Sequence, residues 1–92
     1  MAVVMIDELA GGGPETVDLL RQLGLLHRIK SAPGFIGHWS GTTSTGYRVV
    51  EIWDSPESHQ AWYESAVRPS LPPGAEPPTP TYVDVLAEVQ PG

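Results

Sequence analysis

The chain contains no cysteine. That absence excludes a disulfide scaffold, an iron–sulfur centre, a thiolate zinc site and a cysteine nucleophile. Cations are scarce: five Lys and Arg stand against eleven Asp and Glu, for a formal net charge of −6. The resulting field repels phosphate backbones and anionic lipid surfaces, so no nucleic acid and no membrane is expected as a partner. A neutral or weakly acidic small molecule is compatible with it, as is a second copy of the chain. No apolar run approaches the roughly twenty residues of a membrane span. Nor does a basic segment lead into an apolar stretch and cleavage site at the N-terminus. The expectation is a soluble, cytoplasmic protein. Gly11-Gly12-Gly13-Pro14 precedes a helix but lacks a lysine and any dinucleotide pattern, so it reads as a turn rather than a phosphate cradle.

Ninety-two residues suffice for one domain, 1–92, with one hydrophobic core. So short a chain hides only about two thirds of its unfolded surface, which makes additional burial in a homodimer attractive.

Residues 2–9 are short and β-branched and end at the triple glycine, which marks strand 1. Pro14 suits a first helical position, Glu15 and Asp18 the positive end of the dipole, and Arg28 and Lys30 its negative end. Helix 1 is expected over 14–30, with Leu19, Leu20, Leu23 and Leu26 on one face and His27 as a C-terminal cap. Strands 2 (35–43) and 3 (47–54) flank a Thr/Ser/Gly turn as a hairpin. Ser55-Pro56-Glu57 opens helix 2, expected to end near Arg68 before Pro69. Its stripe carries His59, Trp62, Tyr63, Ala66 and Val67. Six of the twelve residues over 69–80 are proline, an extended stiff crossover. Strand 4 is expected over 81–89, where Val83, Val85, Ala87 and Val89 alternate with more polar positions.

Strand, helix, strand, strand, helix, strand is the split βαβ order, an α+β ferredoxin-like fold with both helices on one face of a four-stranded antiparallel sheet. The opposite face is bare. It is expected to pair with its copy through the side carrying Val83, Val85 and Val89.

Gly34-Phe35-Ile36-Gly37-His38-Trp39, then Tyr47 through Trp53-Asp54-Ser55, then Glu57 to Tyr63 with His59 between, resemble the antibiotic biosynthesis monooxygenase superfamily. Its recurring pattern is a Gly-Phe opening to strand 2, a Trp-x-Ser end to strand 3, and an acid, a His and an aromatic in helix 2. The resemblance implies a dimeric α/β barrel with a cleft between sheet and helices in each subunit. In several members it implies oxygenation of aromatic polyketides without metal or flavin; other members bind, cyclise or isomerise. Quinone-forming members carry an asparagine on strand 3 four residues before the tryptophan. Here that position is Val49, which points towards acid–base cyclisation or isomerisation.

Trp53 matches the family's strand 3 tryptophan, whose indole N–H can bond a ligand oxygen while the ring stacks; core filler is the other reading. Strand parity sets Tyr47, Val49, Glu51 and Trp53 on one face, which makes Glu51 a candidate acid or base; a salt bridge with Arg48 or Arg68 is the alternative. Asp7 and Asp84 would join Glu51 if strand 1 lies between strands 4 and 3, forcing one carboxyl to keep its proton. Otherwise Asp7 begins the turn and Asp84 faces water. His38, similar to the family's strand 2 histidine, suits proton transfer to a phenol or enol, unless a backbone carbonyl satisfies it.

The candidate catalytic residues are therefore His38, Glu51 and Trp53, and the candidate substrate-binding residues Tyr47, His59, Trp62, Tyr63 and Asp84. His38, His59 and Glu51 show no ligand spacing within one element, so no metal is expected, and no cofactor. Three functions fit: a small-molecule enzyme like the cofactor-free monooxygenases, an acid–base cyclase or isomerase, or a ligand-binding or assembly protein.

Overall fold

The computed structural model describes residues 2–71, 74 and 78–92. Strands β1 (Val3–Ala10), β2 (Phe35–Thr42), β3 (Gly46–Trp53) and β4 (Thr81–Asp84) form one antiparallel sheet in the order β2-β3-β1-β4. Helices α1 (Pro14–Gln22) and α2 (Leu25–Arg28) follow β1, while α3 (Pro56–Trp62) and α4 (Arg68–Ser70) follow β3. This is the α+β ferredoxin-like arrangement, with β1 between β3 and β4. No helix among the described residues is long and apolar enough to cross a membrane.

Period-two alternation divides the sheet. Val3, Met5 and Asp7 of β1 and Tyr47, Val49, Glu51 and Trp53 of β3 are buried under the helices. Val3, Met5, Ile29, Tyr47, Val49 and Trp53 make the core, with Leu9, Val17, Phe35, Trp62 and Tyr82 packed around it. The opposite face holds two cross-strand rows, Trp39–Val50–Ile6–Thr81 and Gly37–Ile52–Val4–Val83. No helix covers them, and Trp39 remains 60% exposed.

Three elements depart from the sequence expectation. The helix expected over 14–30 breaks after Gln22, because Gly24 adopts φ +74°, a left-handed C-terminal stop that ends α1. The redirected α2 and the 3-10 turn Ile29–Ser31 then drive Leu25 and Ile29 into the core, which a straight helix would not do.

The second helical region does not end before Pro69. It passes through a π-helical turn, Tyr63–Val67, and closes as α4 with Pro69 in its first turn, where the missing N–H is tolerated. Ser70 Oγ donates to the Ala66 carbonyl at 2.8 Å. Part of the expected proline-rich crossover, residues 72, 73 and 75–77, lies outside the described residues.

Strand 4 stops at Asp84 rather than 89. The register Val3↔Asp84 sets Val85 opposite Ala2, whose carbonyl accepts the Val85 N–H at 3.0 Å. The β1–β4 ladder covers only Thr81–Asp84, and Leu86 and Val89 are 87% and 92% exposed despite their alternating pattern.

Candidate active site

Ser55 caps α3 by accepting the Ser58 N–H at 3.2 Å, and Pro56 fixes the first turn. The helix therefore starts in a defined direction and lays His59 onto the sheet. A β-bulge between Phe35 and Gly37 re-aims β2, so that His38 stands directly opposite Glu51. Across the sheet the register then runs His38, Glu51, Met5, Tyr82, with Ser40, Val49 and Asp7 in the neighbouring row.

These side chains form one hydrogen-bonded array. The Tyr47 hydroxyl donates to Ser40 Oγ at 2.7 Å, and Ser40 Oγ lies 3.0 Å from His38 Nε2. His38 Nδ1 lies 2.7 Å from Glu51 Oε2, and the Trp53 indole N–H donates to Glu51 Oε1 at 3.0 Å. The donor directions close when Ser40 donates to Nε2 and His38 carries its proton on Nδ1, an assignment made from the network. On the other side, His59 Nδ1 lies 2.8 Å from the Tyr82 hydroxyl, while its Nε2 faces Glu51 Oε1 at 4.0 Å. Burial pushes the His59 pKa down, opposed by the Glu51 charge, and pushes the Tyr82 hydroxyl up.

Above this array lies a cavity of about 140 Å³. Met5, Leu9, Leu20, Leu25, Ile29 and Val49 line its apolar side, and Trp62, Val67 and Leu71 its helical rim. Asp7, His38, Glu51, His59 and Tyr63 supply the polar wall. Asp7 is only 8% exposed. Burial first, and the Glu51 charge second, raise its pKa from 3.8 to about 6. Among the described residues its Oδ1 has no hydrogen-bond partner, and neither does the Tyr63 hydroxyl, whose pKa burial also raises.

His38, Glu51, His59, Trp62 and Tyr63 thus meet at one cavity, and Trp53, Tyr47 and Asp84 do not line it. Trp53 is 0% exposed and packs edge-on against Phe35 and His59, with ring centroids 5.4 and 5.7 Å away. Its indole N–H is bound to Glu51 and supports the carboxylate from outside the cavity lining. Tyr47 is buried one layer down, bonded to Ser40. Asp84 is exposed at the end of β4 opposite Val3, while Tyr82 stands opposite Met5. The carboxylate cluster therefore comprises Asp7 and Glu51 without Asp84. Glu51 pairs with neither arginine; Arg48 meets Glu8 and Arg68 meets Glu64.

Ser40 was not among the candidate residues, and Asp7 was weighed only as a possible member of the cluster with Glu51 and Asp84. The available signals were an acid on the buried parity of Val3 and Met5, and a hydroxyl two residues from His38 on the same face.

The ferredoxin-like sheet is covered on one face and holds there an apolar cavity with acid–base groups on one wall. No family model and no curated protein matches the chain. Among solved structures it is similar to the heme-degrading protein of Mycobacterium tuberculosis, at 27% identity and a TM-score of 0.65 over 98% of this chain and 97% of the other. That protein is also known with two hemes bound in its active site. A monooxygenase from the gene ActVA-Orf6 of Streptomyces coelicolor, in complex with nanaomycin D, matches at 19% identity and a TM-score of 0.57 over 99% of this chain and 92% of the other. A protein of Chloroflexus aurantiacus assigned to the antibiotic biosynthesis monooxygenases matches at 22% and 0.58 over 97% and 98%. The chain shares the fold of the antibiotic biosynthesis monooxygenase superfamily, in keeping with its strand 2 and strand 3 motifs.

Proposed function

We propose that this chain is a small-molecule enzyme resembling the cofactor-free monooxygenases, acting on an aromatic or polyketide-like substrate. The observation that carries the reading is the apolar cavity with Asp7, His38, Glu51, His59 and Tyr63 gathered on one wall. An apolar ring body fits the Leu/Ile/Val/Trp side, while the polar wall handles protons. In such chemistry a base removes a phenolic or carbon-bound proton, and the substrate anion then passes an electron to dioxygen. The substrate supplies the reducing power. The similar Streptomyces monooxygenase is known in complex with nanaomycin D, which supports a small-molecule ligand.

Of the three histidines, His38 has both ring nitrogens engaged and His27 is exposed on α2, whereas His59 is bonded to Tyr82 through Nδ1 and its Nε2, 4.0 Å from Glu51 Oε1, makes no hydrogen bond among the described residues. No group of three or more His, Asp or Glu among the described residues is arranged to hold a metal. Oxygen uptake with a panel of hydroxylated anthrones and naphthols tests the monooxygenase reading. Consumption of one dioxygen per product supports it, and product formed without oxygen uptake overturns it.

The buried, unpartnered Asp7 favours a second reading, acid–base cyclisation or isomerisation in the same cavity. Turnover that depends on pH and persists under nitrogen would mark it.

We further propose that the working form is a homodimer joined through the uncovered sheet face. The support is the run of Val4, Ile6, Trp39, Val50, Ile52 and Val83 on that face, which no helix covers. Contiguous exposed apolar surface marks interaction sites.

A further inference from the structure

The polar wall of the cavity divides into groups that already make hydrogen bonds and groups that make none. Glu51 accepts from Trp53 and faces His38, His38 is bonded at both ring nitrogens, and His59 is bonded to Tyr82. Among the described residues, Asp7 Oδ1 and the Tyr63 hydroxyl are buried without a hydrogen-bond partner. A buried polar atom left unpaired costs stability, and such atoms persist where a ligand meets them.

Their position adds a second argument. A second cavity, of about 240 Å³, shares Asp7, His59, Tyr63 and Pro78 with the apolar one and is otherwise walled by Gln60, Glu64, Pro80 and Tyr82. Asp7 and Tyr63 therefore stand at the junction, where an apolar ring system gives way to its oxygen substituents. The π-helical turn puts Tyr63 there. Turns of this kind are frequent at functional sites.

We propose that Asp7 is the catalytic base of this cleft and Tyr63 the donor that holds the substrate oxygen, the substrate class being weakly acidic hydroxyaromatics and ring-fused enolisable ketones. The inference rests on the small-molecule reading above. The Asp7 carboxylate takes a proton from the substrate O–H, or from the C–H next to its carbonyl. The new O–H bond forms on Asp7, and the electron pair of the broken bond stays on the substrate as phenolate or enolate. Tyr63 donates its hydroxyl proton as a hydrogen bond to that oxygen. Asp7 later returns its proton to the substrate carbon or to water. Glu51, braced by Trp53 and His38, is a positioning residue whose charge acts on Asp7.

The titratable groups around Asp7 are His38 on β2, Glu51 on β3, His59 on α3, Tyr63 in the π turn, Tyr82 on β4 and Glu64 at the outer cavity. No lysine or arginine lines either cavity. A value near 6 leaves Asp7 mostly ionised at neutral pH and more basic than an exposed aspartate.

The test uses 2-tetralone under nitrogen in deuterated buffer. Loss of its C1–H signal by NMR reports proton abstraction without any oxygen step, and saturation transfer reports binding. Wild-type protein is expected to bind the ketone and accelerate exchange above buffer, with the protein-catalysed rate rising with pH and levelling above about 6. Asp7→Asn is expected to lose about a hundredfold in exchange while binding within a few-fold of wild type, and Tyr63→Phe about tenfold or more. Binding without accelerated exchange, or exchange that survives Asp7→Asn, overturns this assignment and leaves the cleft reading standing. Failure of the wild type to bind the ketone overturns both. Should Asp7→Asn not fold, the wild-type profile decides: a rate flat with pH through this range removes Asp7 as the base.

Discussion

Replacing Asp7 by Asn should stabilise the protein at neutral pH, and by an amount that itself depends on pH. The folded pKa of Asp7, about 6, lies above the unfolded value of 3.8, so the unfolded chain releases its proton first as pH rises. Below both values the carboxyl is neutral in both states and costs nothing through ionisation. Between them stability falls, and above about 6 the full cost is present. That difference corresponds to about 3 kcal/mol, of which only about 0.5 kcal/mol has developed near pH 4. Asparagine keeps the shape and does not ionise. Any constant change it brings in hydrogen bonding is the same at every pH, so the informative quantity is the slope. Urea melts of both proteins at one protein concentration should show the Asn variant gaining about 2.5 kcal/mol on the wild type between about pH 4 and about pH 8. A difference between the two that stays constant within about 0.5 kcal/mol across that interval would refute the account of Asp7 as a desolvated, ionising carboxyl. A stabilised variant that has also lost proton abstraction would show the fold bearing a cost for its chemistry.

Trp53→Phe removes the donor to Glu51 Oε1 and leaves a void in a fully buried site, so it should cost about 2–4 kcal/mol in urea melts; a loss under about 1 kcal/mol would return Trp53 to the role of ligand contact. Gly34→Ala should cost about 1–3 kcal/mol, because Gly34 has φ +84° and an added Cβ would collide with the Asp54 and Ser58 side chains; an unchanged urea midpoint would count against that close approach. Light scattering of the wild type at micromolar concentration should give twice the chain mass, and Ile52→Asp, on the uncovered face, should reduce it to the monomer. A wild-type monomer would remove the dimer proposal.

Much of the fold was legible because each element carries its own punctuation. Pro14 starts α1, Ser55-Pro56 starts α3, Gly46 lies at the foot of β3, and the parity of Tyr47 to Trp53 sets one face of that strand inward. The breaks were harder to read. Gly24 sits inside an apolar pattern that continues on both sides of it, and only the left-handed backbone distinguishes a stop from a tolerated interior glycine. The end of β4 is decided by the register with β1, which no local pattern contains, so the alternation through Val89 reads as strand and is not.

By itself the sequence determined the order of elements, the inward parity of β3, and the presence of His38, Glu51, His59, Trp62 and Tyr63 on faces turned to one another, since periodicity and capping act over a few residues. Only the tertiary structure decided which of these groups remain free for a ligand. Parity puts Trp53 and Glu51 on the same side, but depth is set by the packing of Phe35 and His59 over the indole, and the hydrogen bond to Glu51 consumes the donor. For Asp7 the sequence left two readings open, a carboxyl beside Glu51 or an acid that begins a turn; three-dimensional packing buried it beside Glu51, with no partner for its Oδ1 among the described residues. Burial and bonding capacity depend on contacts between residues far apart in the chain, and those contacts separate the residues that brace this site from those that face what enters it.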